Sequence, residues 1–141
     1  MIILSVDYGD SRTGIAVCDA LEMLASPVCV IEESYAPKLI KKIADICSDK
    51  KAQMIVVGYP KNMDSSVGER AKKCQNLANL ISEELKIKTV LWDERLTTVS
   101  ANTALNITNT RGKKRKAVVD AVAATMILQD YLDYRRNRNG E

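Results

Sequence analysis

The chain contains no histidine and no phenylalanine. Without histidine there is no Ser-His-Asp or Cys-His nucleophile and no imidazole-ligated metal. Acid–base or metal chemistry must then rest on carboxylates, lysine or tyrosine, which favours hard, oxygen-ligated cations such as Mg²⁺ or Mn²⁺. Aromatic residues make up only 4% of the sequence, so the core is expected to be built from Ile, Leu, Val, Ala and Met. The four cysteines, Cys18, Cys29, Cys47 and Cys74, form no C-x-x-C pair and fall in or beside apolar runs, as buried thiols in a reducing compartment do. No basic segment precedes the first apolar run, and no run is long enough to span a bilayer, so no leader and no membrane partner are expected and the location is read as cytoplasmic. Net charge is only +3, too mild to define a polyanionic partner by its total.

What is present is ordered around Ile2 to Asp19. Ile2, Ile3, Leu4 and Val6 lead into Asp7; a polar turn holds Gly9, Asp10, Ser11 and Arg12; a second apolar run, Gly14 to Cys18, ends in Asp19. Short apolar runs bounded by turn residues read as strands, so this is a hairpin with a carboxylate at the end of its first strand. Gly9 and Gly14 lack a Cβ, which would let a phosphate approach the backbone. Asp is also a common turn former after strands, and Asp7 alone does not separate the two roles.

Ser26 to Glu32 is a third strand, with Pro27 suggesting a sheet edge. Pro37 suits the first turn of a helix carrying Leu39, Ile40, Ile43, Ile46 and Cys47 at helical spacing. Met54 to Val57 reads as a buried parallel strand, followed by a breaker-rich loop through Ser66. Ala71, Cys74, Leu77, Ala78, Ile81 and Leu85 mark a second helix, and Thr89 to Trp92 another strand ending in Asp93-Glu94-Arg95. A short helix capped by Thr97 or Thr98 carries Val99 to Leu105. The basic segment Arg111-Gly112-Lys113-Lys114-Arg115-Lys116 precedes a last helix, from about Lys116 to Tyr134, with Val119, Val122, Ala123, Met126, Ile127 and Leu132 on its buried side. Residues 1–134 form one α/β domain with a mixed, mainly parallel sheet, and 135–141 a frayed polar tail. No exposed apolar stripe announces an interface, which suggests a monomer or a weak homodimer.

Ligands of such sheets bind beyond the carboxyl ends of the strands, where Asp7, Gly58 and Asp93-Glu94 fall. Asp120, early in the last helix amid small residues, could join them. Carboxylates gathered this closely repel unless protonated or bridged by a cation. Two divalent ions roughly 4 Å apart suit phosphodiester hydrolysis by activating water and stabilising the leaving oxygen. The basic run would hold the phosphate backbone beside them. Taken alone, Asp120 also reads as a helix-dipole partner and the basic run as a solvated loop.

Four motifs in order resemble the YqgF/RuvX family, known as Holliday junction resolvases or pre-16S rRNA nucleases: Asp7 to Asp19, Val57-Gly-Tyr-Pro-Lys-Asn-Met-Asp64, Asp93-Glu-Arg-Leu-Thr-Thr98, and Asp120-Ala-Val-Ala-Ala124 with Ile127-Leu-Gln-Asp-Tyr-Leu132. The resemblance covers nearly the whole chain. It implies an RNase H-like fold, a five-stranded mixed sheet flanked by helices, and a cytoplasmic bacterial nuclease acting on an rRNA precursor or, alternatively, on four-way DNA. By motif, Asp7, Glu94 and Asp120 match the catalytic, metal-holding acids, with Asp93 the rival of Glu94, since adjacent strand residues face opposite ways. Arg12 matches the basic residue of the first turn, and Arg95 follows the acidic pair. With Arg111, Lys113, Lys114, Arg115 and Lys116 they form the expected nucleic-acid contacts; Tyr8 and Tyr59 are the aromatics near the rim. Ser11, Thr13 and Ser65 depart from the family's usual Lys, aliphatic and Gly. Two other classes fit the chain less well. An actin-like ATPase or kinase needs a second domain that 141 residues do not supply, and a non-catalytic nucleic-acid-binding module would not need the acids.

Overall fold

The computed structural model describes residues 1–60, 68–93 and 112–138, the side chains of 112–120 and 138 excepted. Five strands, β1 (Ile3–Tyr8), β2 (Arg12–Cys18), β3 (Ala25–Glu32), β4 (Met54–Tyr59) and β5 (Lys88–Asp93), form one sheet in the order β3-β2-β1-β4-β5. The first three pair antiparallel; β4 joins β1, and β5 joins β4, in parallel. Pro27 lies on the edge strand, where a missing N–H disturbs no inner ladder.

Helices α1 (Ala36–Lys50) and α2 (Glu69–Leu85) cover one face, and α3 (Gly112–Arg138) the other. The expected short helix at Thr97 to Leu105 lies outside the described residues. α1 has Pro37 in its first turn and ends in Lys51, whose left-handed φ of 59° lets the N–H of Ala52 reach back to the Cys47 carbonyl at 2.9 Å.

Each face has its own core, and strand alternation assigns residues between them. Leu4, Val6, Ile15, Ile55 and Val57 meet α1 and α2; Ile3, Ala16, Met54, Val56 and Trp92 meet Ala124, Ile127, Leu128 and Tyr131 of α3. Ser5, fully buried, points to α3 and donates to the Ala124 carbonyl at 2.7 Å. The missing Phe volume is made up partly by Trp92, whose ring meets Tyr131 edge-on at 5.6 Å.

Three expectations change. α3 begins at Gly112, so positions 113–116 are its first turns and not a preceding loop; Lys and Arg are good helix formers. At its other end it continues to Arg138, past the expected boundary at 134, with Arg135 held by Glu22 at 2.9 Å. Its buried stripe is also rotated: Ala124, Ile127, Leu128, Tyr131 and Leu132 are buried, whereas Val122, Ala123 and Met126 are only half-buried. The small Ala124 lets the helix approach Ser5, and that contact fixes the rotation.

An exposed apolar cluster, unmarked in the sequence, caps the end of the sheet away from Asp7. Leu21 (79% exposed), Leu24 (65%) and Met23 (50%) project from the β2–β3 turn. Asp19 fastens that turn by accepting from the Met23 and Leu24 N–H groups at 2.7 and 3.1 Å.

Candidate active site

Asp7 is the penultimate residue of β1, opposite Gly14. Since Val6 and Tyr8 pack with the α1/α2 core, alternation puts Asp7 on the α3 face with Ser5. The turn that follows is tight: a Cβ at Gly9 would lie 2.3 Å from the Arg12 carbonyl oxygen. Turn closure itself therefore demands glycine there, a reason separate from ligand approach.

The direction of α3 is set by its partners. Gln129 accepts from the Ala25 N–H at 2.9 Å and donates to the Met23 carbonyl at 3.1 Å, while Arg135 meets Glu22, which also binds the Met1 amino group at 2.9 Å. The C-terminal half thus lies beside the start of β1. From Ala124 towards Gly112 the helix advances in the direction of Asp7. Position 120 is one turn before Ala124, about 6 Å along the axis. Asp7 is two residues beyond Ser5, about 6.6 Å along the strand. Positions 7 and 120 are therefore level, position 120 being one helical turn from Ala124, which is buried against the sheet.

Asp93 ends β5 opposite Tyr59. Leu91 packs with the α1/α2 core and Trp92 with the α3 core, so Asp93 occupies the α1/α2 face, across the sheet from Asp7. Glu94, Arg95 and Arg111 lie outside the described residues, as do the side chains of Lys113, Lys114, Arg115, Lys116 and Asp120. Among the described residues no three His, Cys, Asp or Glu side chains form a metal cluster.

Arg12 shares the α3 face with Asp7, two residues from Gly14. Its Nε is buried without a hydrogen bond, 3.6 Å from Glu32 Oε1. A guanidinium so held keeps donors for an incoming anion. Sequence reasoning missed Arg70: its Nη2 donates to the Tyr8 carbonyl at 2.9 Å, across 62 residues. Three of the four thiols are poor nucleophiles. Burial raises Cys18, Cys29 and Cys47, the last to about 11, so they stay protonated. A cavity of about 680 Å³ lined by Ile40, Ala44, Cys47, Leu85 and Ile87 opens at the α1/α2 layer, away from Asp7.

Comparisons with known proteins bear on this geometry. A family model described as "RuvX: Holliday junction resolvase" matches residues 1–134. A Desulfitobacterium hafniense protein named "Putative pre-16S rRNA nuclease" is 40% identical over 141 residues, covering 100% of this chain and 98% of that one. A Clostridium tetani protein of the same name is 41% identical, covering 98% and 100%. Among solved structures, Thermus thermophilus RuvC in complex with a Holliday junction substrate superposes with a TM-score of 0.61 at 12% identity, covering 96% of each chain. The fowlpox virus Holliday junction resolvase gives 0.53 at 13%, covering 95% of this chain and 99% of that one. These two share the fold, which is RNase H-like. By its family match and its full-length relatives, the chain belongs to the RuvX family.

Proposed function

We propose that this chain is a metal-dependent endonuclease that hydrolyses phosphodiester bonds of structured nucleic acid, and that its substrate is the 5′ end of pre-16S rRNA. The names of its relatives support the nuclease class. The observation that carries the site assignment is the placement of Asp7 on the α3 face, level with position 120 of the helix anchored by Ser5 and Ala124. The same alternation favours Glu94 over Asp93 as the third acid, because Asp93 falls on the opposite face.

The residues fit a hard dication. Asp7 offers carboxylate oxygens at the strand end, and the chain has no histidine to favour a softer ion. Asp7, Glu94 and Asp120 would hold Mg²⁺ or Mn²⁺, which when bound supplies an activated water and charge stabilisation at the leaving oxygen. Arg12, on the Asp7 face, holds a phosphate oxygen of the substrate and orients the strand. Lys113, Lys114, Arg115 and Lys116, in the first turns of α3, draw in the backbone, and Arg95 and Arg111 add to this basic set. We place the protein in the cytoplasm, where an rRNA precursor is found; its four free cysteines suit that compartment, and no helix among the described residues is long and apolar enough to cross a membrane.

A second reading, resolution of four-way DNA, is favoured by the family's description. The test is to incubate purified protein and Mg²⁺ or Mn²⁺ with a 5′-extended pre-16S fragment and, separately, with a four-way junction. Cleavage of the RNA, lost in Asp7→Asn while binding survives, supports the proposal. Paired, symmetric cuts in the junction would establish the resolvase instead, through a dimer. Binding of both without cleavage would leave a non-catalytic module.

A further inference from the structure

Building on the nuclease reading, we infer that the start of α2 is a second phosphate-binding surface, which grips the substrate strand on the far side of the sheet rim from α3. Arg70 is its central residue. Its guanidinium is fastened to the carbonyl of Tyr8, the residue next to Asp7. That bond is to a neutral acceptor, so the full positive charge stays available, and no acidic side chain pairs with Arg70 among the described residues. One turn further, Lys73 Nζ lies 3.6 Å from Asp10 Oδ1, with the two side chains 56% and 78% exposed. An exposed pair of this kind is weak and yields readily to a phosphate. Lys72 adds a third exposed cation.

Position gives these cations their meaning. The Arg70 and Lys73 contacts tie α2 to the β1–β2 turn, at the same end of the sheet as Asp7. Alternation puts Tyr8 and Tyr59, each two residues beyond the Val6–Val57 pair, on the α2 side of that end, half-buried at the edge of the core. A strand whose scissile phosphate lies at Asp7 would meet the basic turns of α3 on one flank. Crossing the turn, it would meet Arg70 and Lys73 on the other, with tyrosine rings beside it for an unpaired base. Two grips, one on each flank, fix the register of the cut as a single patch would not.

The test uses the full chain carrying Asp7→Asn, so that substrate stays intact, and a labelled pre-16S 5′ fragment at several salt concentrations. Arg70→Ala with Lys73→Ala is expected to weaken binding several-fold. The slope of log affinity against log salt should flatten by about 0.7 to 0.9 per lost contact. Backbone protection should be lost on one flank of the cut site, and Ala at Lys113 to Lys116 should lose the other. Arg70→Lys should restore the slope. Lys72→Ala with Lys73→Ala leaves the Tyr8 bond intact and should still flatten it, which separates charge from folding. Unchanged slope and footprint in both double variants, in a protein that binds RNA through α3, would overturn the inference and leave the nuclease reading standing. If the parent protein binds no nucleic acid, both fall.

Discussion

The contact between Ser5 and Ala124 sets the spacing of β1 and α3, between which the proposed site is divided, and two substitutions separate its contribution to stability from its contribution to geometry. Ser5 is fully buried and its hydroxyl meets the Ala124 carbonyl at 2.7 Å. Ser5→Ala removes one neutral hydrogen bond, worth about 1 kcal/mol, and leaves no bulky void. For 141 residues the unfolding entropy is about 0.3 kcal/mol per kelvin, so Tm should fall by about 3 °C. Cleavage should hardly change, because α3 stays in place. Ser5→Val loses the same bond and forces two methyl groups against the helix backbone, adding about 1–3 kcal/mol of overpacking. The helix must shift outward, and an ångström of misplacement between groups on β1 and α3 costs about 100-fold in rate. Calorimetric melts paired with cleavage rates at a temperature where all variants are folded would check this. If Ser5→Val melts lower yet cleaves at the wild-type rate, the reacting groups are not divided between β1 and α3, and the reasoning fails.

Gly9→Ala should destabilise by about 2 kcal/mol, seen as a lower urea midpoint, since its Cβ would lie 2.3 Å from the Arg12 carbonyl oxygen and backbone must move. Lys51→Gly should stabilise by about 0.5–1 kcal/mol in the same assay, by relieving a left-handed φ of 59° at the end of α1. Glu22 carries an acid-dependent contribution: burial raises its pKa, but hydrogen bonds from the Met1 amino group and Arg135 outweigh this and hold it below the usual 4.5. A depressed carboxylate stabilises above its unfolded pKa and loses that contribution as pH falls through the folded value. The stability gap between wild type and Glu22→Gln should thus be present above the usual 4.5 and close as pH falls below it; a gap unchanged by acid would contradict the ion pairs.

Much of this architecture is legible along the chain. The near-continuous apolar run from Ile2 to Val6 announces a buried strand, Pro27 announces an edge, and Pro37 the start of α1. What escapes the sequence depends on contacts between distant residues. The rotation of α3 follows from Ser5 meeting Ala124, 119 positions away, and the apolar pattern of Val119, Val122, Ala123 and Met126 equally suits a different face. The adjacent acids at 93 and 94 have similar local chemistry; only the packing of Leu91 and Trp92 against opposite helix layers assigns Asp93 to the α1/α2 face. Arg70 looks like one more solvated helix cation until its bond to Tyr8 ties it to the strand end. The apolar turn at Leu21 to Leu24 has no periodicity to betray its exposure.

The most direct measurement is a calorimetric Mn²⁺ titration of the substrate-bound protein, run on wild type, Asp7→Asn, Glu94→Gln, Asp120→Asn and Asp93→Asn with cleavage rates alongside. Metal binding and cleavage should be lost at positions 7, 94 and 120 and retained in Asp93→Asn. Loss at Asp93 with retention at Glu94 or Asp120 would contradict a site built on the α3 face.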